Sequence, residues 1–285
     1  MSENALRVLG TASHVARLLG GDDAVHSLYG PEGSHVYHFL TRYDEADAEA
    51  MLRVADGKSG TLLELACGSG RLTFPFLERG FDAVGLDASP DMLKLFAERL
   101  EEEKEDGQDY TGRVSTVEGD MVRFELGRRF DFVTLGANAV SYLDAEQRVS
   151  LFASVQAHLN PEGRFLMTVI EFPGIEQRET PFETLVVIPT GADADIPMLL
   201  TLLDYVDPQE LLRSSNFLAQ RVADGKVVDS KIFTALSRVL PPALLRQELE
   251  VAGLKVVAQH EVVSEFQIQA SFAIVPKIYL LEASL

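Results

Sequence analysis

Residues 61–71 read TLLELACGSGR, and the organisation of the whole chain follows from them. Thr61 to Ala66 is a short, mostly apolar run, suited to a strand buried on both faces of a parallel sheet. Gly68-Ser69-Gly70 then turns the chain into RLTFPFLERG (71–80), where Leu72, Phe76 and Leu77 recur at helical spacing. Strand, glycine turn and helix form the geometry that cradles phosphate or carboxylate groups in nucleotide-binding α/β folds. A side chain on either glycine is expected to hold a ligand away from the backbone.

A dinucleotide site asks for G-x-G-x-x-G, whose third glycine lets helix and strand pack closely. The third position here is Thr73, and an acidic residue, Glu64, lies inside the strand. That pattern resembles motif I of the class I S-adenosylmethionine-dependent methyltransferases. Further motifs follow in order. DAVGLD (82–87) reads as a second strand ending in Asp87, and a carboxylate at that tip is placed to accept ribose hydroxyl hydrogen bonds. SPDMLKLFAERL (89–100) reads as a helix capped by Ser89, with Pro90 in its first turn. VEGDM (117–121) matches the family position where an acidic side chain, here Asp120, holds the adenine amino group. FDFVTLGANAVSYL (130–143) resembles the strand of motif IV, and HLNPEGRFLMTVI (158–170) the turn and fifth strand after it.

The resemblance implies S-adenosyl-L-methionine as cofactor; no metal is expected, because a neutral amine is already a competent nucleophile and the sequence shows none of the usual clustered ligand motifs. Cofactor contacts are expected from Glu64, Ala66, Gly68, Gly70, Arg71, Asp87, Ala88, Asp120, Met121 and Leu135. The resemblance also implies an α/β fold, a Rossmann-like seven-stranded sheet with its last strand antiparallel. A narrower likeness lies in GRLTFPFLERG (70–80), VEGDM and the C-terminal VVAQ…YLLEA. These blocks are similar to glycopeptide-antibiotic N-methyltransferases and to the methyltransferases of daptide-type peptide clusters. The implied reaction is N-methylation of an amine in a ribosomal or non-ribosomal peptide. O- or C-methylation of a small metabolite, or cofactor binding without transfer, are the rival readings.

Composition narrows the setting. A chain of 285 residues with 46% hydrophobic content is long enough for an α/β domain plus an insertion. The net charge of −19 disfavours a nucleic-acid partner. The acid run EEEKED (101–106) reads as a solvated helix tail, and a sharper reading of the charge is attraction of a cationic amine. One cysteine excludes an internal disulfide framework. No run of eighteen apolar residues occurs, and MSENALRVLG lacks a signal pattern, so the expectation is a cytoplasmic protein without membrane contact. The expected partner is a peptide or amine-bearing small molecule, with a homodimer as the candidate assembly.

Residues 1–57 are expected to form a helical lid. Leu6, Leu9, Val15, Leu18 and Leu19 suggest a helix over 4–19; the resemblance implies that such a segment folds over the cofactor, which makes Tyr29 and Tyr37 candidates for closing the reaction chamber, the alternative being amphipathic packing. DEADAEAMLRVAD (44–56) reads as a helix with an acidic start. The core is expected over 58–171 and 241–285. Its helix 144–159 places Val149, Phe152, Val155 and Leu159 on one face, with His158 as a dipole partner or surface residue. Between lie 172–240, read as an antiparallel β cap of three or four strands with a hairpin turn at ADGK (223–226).

An amine must reach the methyl group unprotonated, so a proton acceptor is needed. Tyr142, Glu171 and His260 are the candidates after successive core strands; His35 and His38 lie in the lid. Asn138 and Ser141 are candidates for orienting cofactor or substrate. Arg71 is read as a partner of the cofactor carboxylate, or as simply opening the helix. Cys67 is read as a small loop filler.

Overall fold

The computed structural model describes residues 6–42, 44–57, 59–110, 112–189, 198–263 and 275–285. Helix α1 (Thr11–Leu18), strand β1 (Val25–Ser27), α2 (Gly33–Thr41) and α3 (Ala46–Val54) open the chain. The α/β series follows: β2 (Thr61–Leu65), α4 (Thr73–Glu78), β3 (Asp82–Asp87), α5 (Pro90–Glu105), β4 (Val114–Glu118), β5 (Phe130–Leu135), α6 (Ala145–His158) and β6 (Leu159–Glu171). Next come β7 (Phe182–Pro189), β8 (Met198–Asp207), β9 (Leu212–Ala223) and β10 (Lys226–Arg238), then α7 (Pro242–Val251), β11 (Lys255–Val262) and β12 (Lys277–Ser284).

The chain divides into two compact units, one of His38–Glu171, Leu240–Ile268 and Lys277–Leu285, the other of Met1–Tyr37, Phe172–Val239 and Gln269–Pro276. The stretch 1–57 therefore does not stay together: it divides inside α2, and α3 joins the larger unit.

The larger unit is a seven-stranded sheet in the order β11-β12-β6-β5-β2-β3-β4. All neighbours run parallel except β12, which is antiparallel to both β6 and β11. Alternation along each strand divides the apolar side chains between two faces. Leu63, Leu65, Val133, Leu135, Phe165 and Met167 pack with Leu151, Phe152 and Val155 of α6 and Leu245 and Leu249 of α7. Leu62, Phe132 and Leu166 face the other way, onto Met51 of α3, Phe74, Phe76 and Leu77 of α4 and Phe96 of α5. Glu64 and Thr134 alternate with the first set and so share this second face.

Caps mark the helix starts that the sequence indicates. Ser89 accepts from the Met92 N–H at 3.3 Å with Pro90 beside it, and Asp144 with Gln147 forms a reciprocal capping box. Other expectations need correction. The α1 helix starts only at Thr11, because Gly10 sits at φ 63°. Its buried residues are Ala12 and Ala16, while Leu18 is 86% exposed. Asn4 and Ala5 of the expected helix, and residues 272–274 of the expected last strand, lie outside the described residues. Strand β5 ends at Leu135, because Ala137 and Asn138 take positive φ (51° and 57°) and break the ladder. On α6, Val149 is exposed and Arg148 lies on the buried face instead. His158 is buried: its Nδ1–H donates to the Ser154 carbonyl (2.8 Å), and Nε2 accepts from the Leu126 N–H (3.0 Å). Both ring nitrogens are thus occupied by backbone groups.

The smaller unit is a five-stranded sheet, β1-β10-β9-β8-β7, antiparallel except for β1, which runs parallel to β10. Asp224 and Gly225, both at positive φ, make the two-residue turn expected at ADGK. Asn216, fully buried on β9, donates to the carbonyls of Leu203 and Ser214 and accepts from the hydroxyls of Thr234 and Ser214. The bonds to Leu203 of β8 and from Thr234 of β10 cross between strands, and a residue slip of β9 would leave both unmade, so this network fixes register. Among the described residues no helix is long and apolar enough to cross a membrane.

Helices α6 and α7 are joined by Arg148, whose Nε and Nη2 donate to the two oxygens of Glu248 at 2.7 and 2.6 Å. Arg148 is 4% exposed, so removing its partner strands a buried charge. Glu248→Ala should cost about 3 kcal/mol in urea unfolding, and Arg148→Met, which removes the charge itself, distinctly less. Equal losses in the two variants contradict this account.

Candidate cofactor site

The glycine turn holds three residues at positive φ: Ala66 (52°), Gly68 (54°) and Gly70 (85°). The two glycines are required for different reasons. A Cβ on Gly70 would stand 2.6 Å from Phe74 and 2.7 Å from Phe96, so Gly70 serves packing behind the turn. A Cβ on Gly68 would meet only Met92 Sδ, at 3.9 Å, leaving open space before it. The expectation that both glycines make room for a ligand thus holds in geometry only at Gly68. Helix α4 has six residues, too short for much macrodipole, so the turn's own amides are what it offers an anion.

The turn is tied to the tip of β3. Asp87 accepts the Gly68 N–H on one oxygen and the Ser89 N–H on the other, both at 2.8 Å. Each oxygen keeps a lone pair for a further donor, such as a hydroxyl. Burial raises the Asp87 pKa above the usual carboxylate value despite these amides.

A second tie crosses to α3. Arg71 donates to both oxygens of Asp47, Nη2 to Oδ2 at 2.8 Å, and Nη1 also reaches the Asp44 carbonyl at 2.7 Å. Asp47 Oδ2 in addition accepts the Ala137 N–H at 3.2 Å, at the elbow after β5. Burial pulls the Asp47 carboxyl up, but the Arg71 charge and hydrogen bonds, with the Ala137 amide, outweigh it and leave the pKa lowered. Neither reading of Arg71 from sequence includes this internal carboxylate, and 44–56 reads only as a helix with an acidic start. Nothing in the spacing of Asp47 and Arg71 signals the pair. The elbow is held further by Asn138, whose N–H donates to Thr168 Oγ1 (3.3 Å), whose Oδ1 accepts the Ile170 N–H (3.0 Å), and whose Nδ2 donates to Ser141 Oγ (3.0 Å). Asn138 thus clasps the end of β6, and Ser141 braces the Asn138 side chain.

Glu64 is 3% exposed and accepts from the Thr73 hydroxyl on Oε2. Burial, the largest influence, pushes its pKa up to about 8; Thr73 and Arg71 oppose this, and Asp47 and Asp87 add to it. Thr134, its register partner on β5, is fully buried, and its hydroxyl has no hydrogen-bond partner among the described residues. Burial likewise pushes the Cys67 thiol well up, with Glu64 and Asp87 adding to it, so it stays neutral in its loop. His38 of α2 places Nδ1 2.7 Å from the hydroxyl of Ser69, in the middle of the glycine turn.

The other sequence candidates are spread more widely. Ala88 is exposed beside Asp87, and Met121 is half-buried against the α6–α7 core cluster. Asp120 is exposed and accepts the Val122 N–H at 2.9 Å. Leu135 has its side chain fully buried in the core, so what it can present to a ligand is backbone. Tyr142, 38% exposed, and Glu171 flank the elbow, Glu171 directly after the Ile170 that Asn138 holds. His260 is not brought there. It stands on the edge strand β11, four strands from β2, which is roughly 19 Å at about 4.8 Å per strand. It faces Glu282 at 3.6 Å, a carboxylate that also binds Arg164. Tyr29 belongs to the other unit, where its ring meets Tyr37 edge-on at 5.3 Å.

A carboxylate tied to the turn, an open Gly68 and an excess of buried acid beside it fit a nucleoside with a cationic amino-acid tail. Comparison with known proteins agrees. Residues 62–163 match the family model described as a methyltransferase domain. The glycopeptide N-methyltransferase MtfA, solved with (S)-adenosyl-L-homocysteine, is 30% identical, with 84% of this chain and 86% of that one covered at a TM-score of 0.57. The CcbJ methyltransferase from Streptomyces caelestis shares the fold at 20% identity and a TM-score of 0.68, over 91% of this chain and 99% of that one. The cypemycin N-terminal methyltransferase of a Streptomyces species is 29% identical over 52% of this chain and 56% of its own length. The chain spans about half the length of the first curated relatives it matches. It belongs to the S-adenosylmethionine-dependent methyltransferases.

Two measurements test the site's physics without any substrate. Gly68→Ala should cost about 1–2 kcal/mol, the strain of a left-handed alanine, whereas Gly70→Ala adds a collision with two buried rings and should cost more than twice as much. Equal thermal shifts contradict the division of roles. For Glu64, the folded chain keeps a proton that the unfolded chain releases. The stability this confers is full below the ordinary carboxyl pKa and is lost as pH rises through the folded value of about 8. Glu64→Gln stays neutral throughout, so wild type should lose stability relative to it between about pH 5 and about pH 8.5. A difference that stays constant over that window contradicts the assignment.

Proposed function

We propose that this chain transfers a methyl group from S-adenosyl-L-methionine to an amine nitrogen of a peptide natural product. The observation that carries the reading is the 30% identity to a glycopeptide N-methyltransferase over 84% of this chain. The likeness to an enzyme named for a peptide N-terminus supports it. When bound, the cofactor supplies an activated methyl on a sulfonium, open to in-line displacement by a neutral amine. The protein's tasks are then to align, to exclude water and to take a proton.

Asp87 is assigned to the ribose hydroxyls, since both of its oxygens are oriented by backbone amides and retain lone pairs. Asp120 is assigned to the adenine amino group, with Ala88 and Met121 beside the base. Glu64, Ala66, Gly68, Gly70 and Arg71 form the wall towards the amino-acid end, to which Leu135 adds backbone. Glu171 and Tyr142 are the preferred proton acceptors, because both border the elbow held by Asn138. His260 is not assigned this role, because it stands on the edge strand beside Glu282. Tyr29 keeps an assignment to closing the chamber. Acceptor choice is assigned to the antiparallel unit, residues 172–240, because the assigned cofactor residues all lie in the other.

The test pairs methyl-labelled cofactor with peptides carrying a free or an acetylated α-amine, followed by fragment mass spectrometry. Label on nitrogen of the free-amine peptide alone is the expected result; a methyl on oxygen or carbon, as in the rival metabolite reading, overturns it. Asp87→Ala should weaken cofactor binding by roughly 1.5–3 kcal/mol, and a folded variant with wild-type affinity removes Asp87 from the site.

A further inference from the structure

We propose that cofactor binding expels a proton from Glu64. The buried acid cluster at the glycine turn accommodates one more cation, which is a proton in the free chain and the ammonium-bearing end of the cofactor in the complex. This rests on the cofactor assignment and is independent of the acceptor.

Three charged groups face Glu64. Asp47 approaches from α3, Asp87 from β3 and Arg71 from the turn; these are the charged groups that act on it. Arg71 is the one cation among them, and Asp47 takes both of its terminal nitrogens. Asp87 is compensated by two amides. Glu64 is left with a hydroxyl from Thr73, which cannot neutralise a buried charge. The Cys67 thiol next to it is neutral and contributes none.

A second, independent observation is the Thr134 hydroxyl, fully buried beside Glu64 and without a partner among the described residues. A buried polar group left unmatched costs stability, and a donor-rich ligand end arriving here would meet both the hydroxyl and the carboxyl. An uncompensated buried carboxylate holds its proton until a positive charge comes close. The exchange balances: the neutral carboxyl plus the ligand cation gives a carboxylate–cation pair and one proton to solvent.

Calorimetric titration of (S)-adenosyl-L-homocysteine into the full chain at about pH 7, in PIPES and in Tris, reads the proton directly from the difference in heat. Wild type should release close to one proton per site, and Glu64→Gln should bind and release none. The wild-type Kd should also fall about tenfold per pH unit between about pH 6 and about pH 8 and level off above. Buffer-independent heat in wild type, or equal release from Glu64→Gln, overturns the proposal. If Glu64→Gln does not fold, a wild-type Kd that is flat over the same pH range overturns it alone. No binding at any pH would instead overturn the cofactor assignment, a result distinct from binding without proton release.

Discussion

The bidentate pair between Arg71 and Asp47 joins three pieces of chain that would otherwise be independent: helix α3, the glycine turn and the elbow after β5. Both side chains are about nine-tenths buried, so losing either partner leaves a charge where solvation is poor, at a cost of about 3–5 kcal/mol. The pair holds down a strained backbone. Ala66 and Ala137 sit in the left-handed region, which costs an alanine about 1–2 kcal/mol. Asn138 is there too, where its residue type is better tolerated. Strain of that size persists only where neighbours over-determine the conformation. The elbow amide of Ala137 is satisfied by the same carboxylate that holds Arg71, so the separation of turn and elbow rests on one side chain.

That separation matters because methyl transfer depends on alignment more than on acid–base strength. On the proposed assignment the turn carries the donor's side of the reaction and the elbow, with Glu171 and Tyr142, borders the acceptor's. Asn138 fixes the elbow to β6 as Asp47 fixes it to α3. Turn and elbow each follow directly on a strand of a parallel sheet, β2 and β5, a placement more exact than loops alone allow.

What was legible in the sequence was what periodicity and capping chemistry encode. Strands β2 and β3, the Ser89–Pro90 start of α5, the 182–238 strands and their Asp224–Gly225 turn all follow from local pattern. The failures have a common cause. Leu18 and Val149 looked like core because they are apolar and in phase, yet Ala16 and Arg148 occupy the buried positions. A stripe shows where a buried face can lie, not which neighbour fills it. The Asp47–Arg71 and Arg148–Glu248 pairs, and the burial of His158, are long-range matches of polar groups. They carry no local signature, since an isolated acid on a helix start reads as solvated whether or not an arginine folds onto it. Gly70 shows the converse: the motif named the residue, while the reason for it, two phenylalanine rings behind the turn, belongs to packing.

The net charge of −19 invites an electrostatic account of how a cationic ligand is drawn in, but the structure redirects it. The acid run at the end of α5 lies mostly exposed, where salt screens its field within about 8 Å. Glu64, Asp47 and Asp87 are only three of 44 acidic residues, yet they sit where water screens least. Their field is opposed by a single guanidinium already committed to one of them. Local potential at the turn is therefore set by this small imbalance and not by the surface total. Neutralising every exposed acid would change solubility and long-range steering, and leave the cation preference of the turn in place.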